Sequence, residues 1–356
     1  MVTMSRIYRG SGLSKHILTN KRLSSNANGR VVSHVRTDLV EADACMGGWQ
    51  DEDFRCFLKL ETQQASGSFK DRGIFHMVQD ASSKYSRDTD DANAISKLVS
   101  SSGGNAGNAV ATVGHLLNLA VDVYVPVTTM DLMVQKIKSK GATVIVGGEN
   151  WNQADQSAQE AVDSTIGALY CPPFDNPLIW EGNSSIISEL AMQINKFSLF
   201  ESHGVQFPDA IILSVGGGGL LRGVQMGLEQ LGMSKTKIIA METEGAASFA
   251  RAPNRLTSID SIATTLGSLY VVEDTLSSPI ETISMVVSDK EAVDACFKYA
   301  QDYRTLVEPA CGAALAALSS KNRNKLKDMG VKSCIVIVCG GSAVSVDLLM
   351  SYKNKV

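Results

Sequence analysis

The sequence predicts an α/β protein built on parallel sheets with helices on both faces. From about Asn93 to the end, short β-branched runs alternate with longer amphipathic stretches. The most apolar runs, such as CIVIVCG from Cys334 to Gly340, are strand-sized and far short of a membrane span. Gly-rich turns follow several of these runs, at the carboxyl edge where such sheets hold ligands. A chain of 356 residues is long enough for about two domains, one of which can interrupt the other.

Taken in order, AISKLVS (94 to 100) reads as a strand, followed by a Gly-rich loop and the helical NAVATVGHLLNLA. VDVYVP (121 to 126) reads as the next strand, and TTMDLMVQKIKSK as a helix that ends where Gly141 takes the C′ position. ATVIVGG opens another strand. Later, AIILSV (210 to 215) leads through four glycines into LLRGVQMGLEQL, KIIAMET follows as a strand, and CIVIVCGG (334 to 341) leads into SAVSVDLLMSY. The polar segment Asp80 to Asn93 reads as a surface loop.

Composition narrows the function. The net charge of −4 is too small to predict a nucleic-acid groove, and 44% hydrophobic with 20% charged residues excludes disorder and coiled coil. Seven cysteines, at 45, 56, 171, 296, 311, 334 and 339, form no C-x-x-C pair and lie mostly in apolar surroundings, as reduced core thiols do. The first 37 residues hold seven Lys or Arg, six Ser and no acidic residue. That is the profile of a transit peptide, with a processing site at Ser24 and Ser25 after Arg22, or of a solvated arm. The chain is expected in the cytoplasm, or in mitochondria if the arm directs import.

Four segments can carry chemistry. In SGSFKDRG (Ser66 to Gly73), Lys70 follows small residues and Phe69 and precedes a helix, where a shielded amine would be nucleophilic at neutral pH. An exposed lysine at a helix start is the plainer reading. SSGGNAGNA (Ser101 to Ala109) lies between strand and helix and offers hydroxyls, backbone N–H groups and a helix N-terminus to an anion such as a carboxylate; otherwise it is a capped loop. In VGGGGLLRG (Val215 to Gly223), four glycines let backbone amides approach a phosphate, and no GK[ST] follows to make a Walker A loop. Gly217, Gly219 and Glu242 half-match a dinucleotide fingerprint, which would make the chain an NAD-linked oxidoreductase, but Arg222 stands where the third glycine belongs. CGGSAVS (Cys339 to Ser345) could meet a ligand ring or only pack.

Together these segments resemble the L-serine/L-threonine dehydratase family of pyridoxal-phosphate enzymes, of the second fold type, close to the animal-type members. The resemblance covers nearly the whole chain from about Val32, through SGSFKDRG, SSGGNAG, CPPFDNPLIWEGNSS, SVGGGGLLRG, IIAMETEGAASF, LVEPACGAALAA and IVCGGS in the family's order. It implies a two-domain fold, with residues 1–31 as an extension, 32–61 plus 173–356 as a large catalytic domain and 62–172 as a small domain. It implies that Lys70 holds pyridoxal 5′-phosphate as an imine and serves as base, that Phe69 lies against the ring, and that Asn105 meets the phenolic oxygen. The phosphate would rest in Gly216, Gly217, Gly218 and Gly219, Cys339 would face the pyridine nitrogen, and Ser102, Gly103, Asn105 and Ala106 would bind the substrate carboxylate. Glu242, Ala246 and Ser248 resemble the family's monovalent-cation site, suited to an ion such as K+. The implied reaction is β-elimination on serine, and on threonine, to a 2-oxo acid and ammonia, in a homodimer.

Alternatives are another lyase or a β-replacement enzyme on the same fold, and a silent binding protein. Gly103 stands where related racemases carry a serine and many dehydratases an alanine, which disfavours racemisation and is expected to loosen the carboxylate loop. Thr37 and Asp38 replace a common Thr-Pro, and Thr265 replaces a common alanine against the cofactor, so both bear on substrate scope.

Overall fold

The computed structural model describes residues 33–42, 53–85, 94–197 and 207–356. The extension 1–31 with Ser24 and Ser25, and Cys45, lie outside the described residues.

Two sheets organise the chain. The larger contains β1 (Leu39–Glu41), β2 (Arg55–Leu60), β7 (Ala210–Ser214), β8 (Lys237–Thr243), β9 (Thr282–Val287) and β10 (Ser333–Val338), in the order β1-β2-β10-β7-β8-β9. The smaller contains β3 (Lys97–Ser100), β4 (Ala120–Val125), β5 (Thr143–Val146) and β6 (Ala168–Tyr170), in the order β5-β4-β3-β6. All pairings are parallel except the edge pair, where β1 runs antiparallel to β2 with Leu39 opposite Lys59. Every residue of β7 and β10 is buried, which is why these strands read as unbroken apolar runs: helices cover both faces.

The topology fixes where function gathers. β10 pairs in parallel with β2 on one side and β7 on the other, Leu60 lying opposite Val338, so the carboxyl ends of all three strands share one edge. The chain leaves that edge after β2 to enter α1 (Lys70–Tyr85), after β7 to enter α6 (Gly219–Leu231), and after β10 through Cys339 toward α11 (Val346–Lys353). In the smaller sheet, β3 delivers the chain to α2 (Asn105–Leu117). Helix α5 (Pro177–Phe197) joins the two cores: Ile179 and Trp180 pack with Ile74, Val78 and Val113, while Ile186, Ile187 and Leu190 pack against the larger sheet.

Three expectations change. Asp80 to Tyr85 is the last turn and a half of α1, because Ala81 faces the core while Lys84 pairs with Asp80 at 2.7 Å along the solvent side; residues 86–93 lie outside the described residues. Thr37 and Asp38 serve the fold, Thr37 inside a buried ionic cluster and Asp38 on the exposed side next to it. Thr37 Oγ1 donates to Glu61 at 2.7 Å, and its carbonyl accepts from Lys59 Nζ at 2.7 Å and Gln193 at 2.8 Å. Asp38 donates its backbone N–H to Gln63 at 2.8 Å, a bond that proline could not make. Third, the larger sheet is mixed at its edge and not wholly parallel. The six cysteines among the described residues are buried, and no disulfide joins any two of them.

Candidate active site

Lys70 begins α1 at the shared strand edge. Its Nζ donates to the carbonyl of Pro173 at 2.6 Å and lies 5.1 Å from the centre of the Phe69 ring. Burial lowers this amine from the usual lysine range to about 8, opposed by nearby Cys339 and Glu308. The segment is stitched to the turn after β10: Phe69 N–H donates to the Cys339 carbonyl at 3.1 Å, and Ser68 bridges Gly340. Gly340 adopts φ +91° with its missing Cβ 2.2 Å from the Gly67 carbonyl, so no side chain fits there. The Cys339 thiol is raised well above the usual range, chiefly by its hydrogen bond with Cys311 and then by burial, and is therefore neutral near physiological pH.

The segment that holds the lysine also shapes the glycine turn. Phe174, next to Pro173, lies where a Cβ at Gly217 would meet its ring at 2.4 Å and a Cβ at Gly219 its carbonyl at 2.7 Å. A Cβ at Gly216 would come within 2.9 Å of Leu266, and one at Gly218 within 2.6 Å of Val271. The turn thus has room only for backbone, and the unpaired amides of the first turn of α6 face its end. The Gly217 carbonyl accepts from Val272 N–H at 3.0 Å and the Gly216 carbonyl from Ser248 Oγ at 2.8 Å, which holds the turn from behind.

The third loop leads from β3 into α2. Ser102 Oγ accepts from Gly104 N–H at 3.3 Å, and Ala106 is buried in the first turn of the helix. A Cβ on Gly103 would lie 2.6 Å from Thr129 Cγ2 and 2.8 Å from its Oγ1. Thr129 therefore occupies the space an alanine methyl would take, so the loop is not loose for want of that methyl. Ser101 anchors the loop by donating to Asp155 at 2.5 Å, with the Tyr170 hydroxyl on the same carboxylate oxygen. Asn105 reaches across to the larger sheet. Its Nδ2 donates to Glu308 at 2.5 Å, and its Oδ1 accepts from the Ser342 N–H and hydroxyl, both at 2.9 Å.

Glu242 stands apart from this cluster, behind the glycine turn. Its carboxylate accepts from Phe249 N–H at 2.7 Å and Ala250 N–H at 2.9 Å, in α7 (Ser248–Arg251). Burial raises it to about 7, and among the described residues no basic side chain pairs with it. Both of its oxygens accept hydrogen bonds from the chain.

The structure thus brings Phe69, Lys70, Asn105 and Cys339 into one connected site, ties Gly216 to Gly219 to it through Pro173 and Phe174, and places Ser102, Gly103 and Ala106 at its small-sheet wall. Glu308, Pro173, Phe174, Thr129 and Asp155 complete it without a role read from the sequence, together with Ser342 of the CGGSAVS segment. Glu308 left one usable trace, a lone carboxylate between Val307 and Pro309 in an apolar stretch. A part-buried amine near 8 beside a turn with no room for side chains fits a phosphorylated aldehyde.

A family model described as pyridoxal-phosphate dependent enzyme matches residues 33–340. A relative from Mus musculus named L-serine dehydratase/L-threonine deaminase is 42% identical over 309 residues, covering 83% of this chain and 89% of its own. A relative from Saccharomyces cerevisiae named catabolic L-serine/threonine dehydratase is 37% identical over 305 residues, covering 81% and 82%. Among solved structures, a fungal L-serine ammonia-lyase from Rhizomucor miehei superimposes with a TM-score of 0.78 at 32% identity, over 90% of this chain and 98% of that one.

Proposed function

The chain belongs to the pyridoxal-phosphate dependent enzymes, and from that premise we propose that it dehydrates and deaminates L-serine, and L-threonine, to a 2-oxo acid and ammonia. The observation that carries this reading is the Lys70 amine, part-buried, lowered to about 8 and bonded to the Pro173–Phe174 segment that shapes the glycine turn.

Lys70, Phe69, Asn105, Cys339 and the turn Gly216 to Gly219 are the residues that would hold the cofactor. Bound there, it supplies an electron sink for the charge left when the substrate Cα loses its proton. Lys70 Nζ accepts that proton, a role open to it because its lowered pKa leaves roughly a tenth of it as free amine at pH 7, far more than an ordinary lysine keeps. The loop from Ser102 to Ala106 holds the substrate carboxylate with backbone N–H groups and the Ser102 hydroxyl. Cys339 stays an uncharged thiol, so the group that would face the ring nitrogen is not a carboxylate able to fix a full positive charge there, which favours prompt loss of the β-hydroxyl over transamination. Gly103 carries no proton to return to the opposite face of Cα, which argues against racemisation.

The Glu242, Ala246 and Ser248 site belongs to the same reading as a seat for a monovalent cation such as K+, supported by a buried carboxylate without a basic partner among the described residues. K+ that raises activity where Li+ does not would support it. A homodimer in the cytoplasm, or in mitochondria if residues 1–31 direct import, completes the proposal, and light scattering and fractionation test those two points.

Pyruvate and 2-oxobutyrate release from serine and threonine tests the reaction. Purified protein loaded with pyridoxal 5′-phosphate is expected to form both, and Lys70→Ala protein neither. Formation of a β-substituted amino acid only when a second nucleophile is added would favour a replacement enzyme instead. One methyl shifts binding by only about 1–3 kcal/mol in such pockets, so activity on both substrates is expected.

A further inference from the structure

Glu308 caps α9 (Pro309–Leu315) at the shared strand edge and is only 3% exposed. Two donors from different parts of the chain meet on its Oε1: Asn105 Nδ2 at 2.5 Å and Thr265 Oγ1 at 2.7 Å. Its Oε2 is buried without a hydrogen-bond partner; the Ala343 amide is close enough to favour the charge but makes no well-formed bond. Asn105 is gripped from its other end as well, since Ser342 gives two donors to Oδ1. A primary amide carries two N–H groups and one carbonyl. With donors on its oxygen and an acceptor on its nitrogen, the Asn105 amide has a single orientation, and one N–H remains uncommitted.

We propose that Glu308 is a positioning residue that holds Asn105 so that its remaining amide N–H, and not its carbonyl, meets the ring oxygen of the bound cofactor, with Thr265 steadying the carboxylate. The proposal rests on the cofactor reading given above. An ionised carboxylate can only accept, so it admits no flipped amide. Burial raises Glu308 to about 7, yet a proton would reside on Oε2, because Oε1 already accepts twice. Oε1 therefore remains the acceptor in either state. Thr265 gains a purpose: its hydroxyl fixes the oxygen that Asn105 needs.

A double-mutant cycle on cofactor affinity tests this, with apo-protein titrated by pyridoxal 5′-phosphate and followed by the visible band. Asn105→Ala and Glu308→Ala are each expected to weaken binding, by roughly threefold to tenfold on the scale of one hydrogen bond, and to move the band in the same direction. The double variant should bind no more weakly than Asn105→Ala alone. Glu308→Gln, which keeps an acceptor oxygen, should restore most of the affinity, and Thr265→Ala should show a smaller loss that Thr265→Ser repairs. Additive losses, or Glu308→Ala protein that matches the parent in both affinity and band, would overturn the proposal. So would Glu308→Gln losing as much as Glu308→Ala. If Glu308→Ala protein fails to fold, the Glu308→Gln and Thr265 variants decide by the same criteria. A parent chain that takes up no cofactor would instead sink the functional reading itself.

Discussion

At the scale of single residues, function depends on moving a lysine out of its ordinary range. Burial lowers Lys70 to about 8, so its free-amine fraction, the form that attacks an aldehyde, rises as pH rises through that value and is nearly complete above it. Stopped-flow attachment of pyridoxal 5′-phosphate to apo-protein should therefore speed up toward about pH 8 and level off above it. A rate that keeps climbing into the ordinary lysine range would show an exposed amine. Gly103 supplies a second test. A methyl there meets Thr129 at 2.6 Å, so Gly103→Ala should shift the carboxylate loop and lower kcat/KM for serine by about tenfold to a hundredfold. Adding Thr129→Ala should recover most of the loss; no recovery would mean that the threonine is not what the methyl strikes.

At the scale of elements, the start of α1 is held as firmly as its chemistry requires. Arg72, two residues beyond Lys70 and fully buried, donates to Glu61 through Nε at 2.8 Å and through its terminal NH2 group at 2.7 Å, and pairs with Glu189; Lys59 pairs with Glu189 at 3.2 Å. Taking away one partner strands the others without water. Arg72→Met should lower stability by about 3–5 kcal/mol, read as an earlier urea midpoint of the apo-protein. An unchanged midpoint would mean the cluster adds nothing net. The reading of elements from sequence succeeded where signals were local: the strands ending at Ser100, Ser214 and Val338 and the turns after them announce themselves by apolar runs meeting glycine. It failed at Asp80 to Tyr85, where a polar face concealed the helical phase carried by Ala81.

At the scale of the molecule, the site exists because two sheets meet. Lys70 and Asn105 are carried by helices that pack on the smaller sheet, Cys339 and Glu308 by segments of the larger one, and Asn105 and Glu308 are 203 positions apart. That separation is why Lys70 and the glycine turn were legible while Glu308, Thr129 and Asp155 were not: their meaning lies in a partner that no local pattern shows. No described helix is long and apolar enough to cross a membrane. The central claim is that one lysine of this chain is the covalent seat of the cofactor. Borohydride reduction of protein loaded with pyridoxal 5′-phosphate, followed by peptide mass mapping, tests it most directly. The pyridoxyl group should be found on the peptide spanning SGSFKDRG, at Lys70, and be missing from Lys70→Ala protein; label on a different lysine, or none above background, would contradict the account.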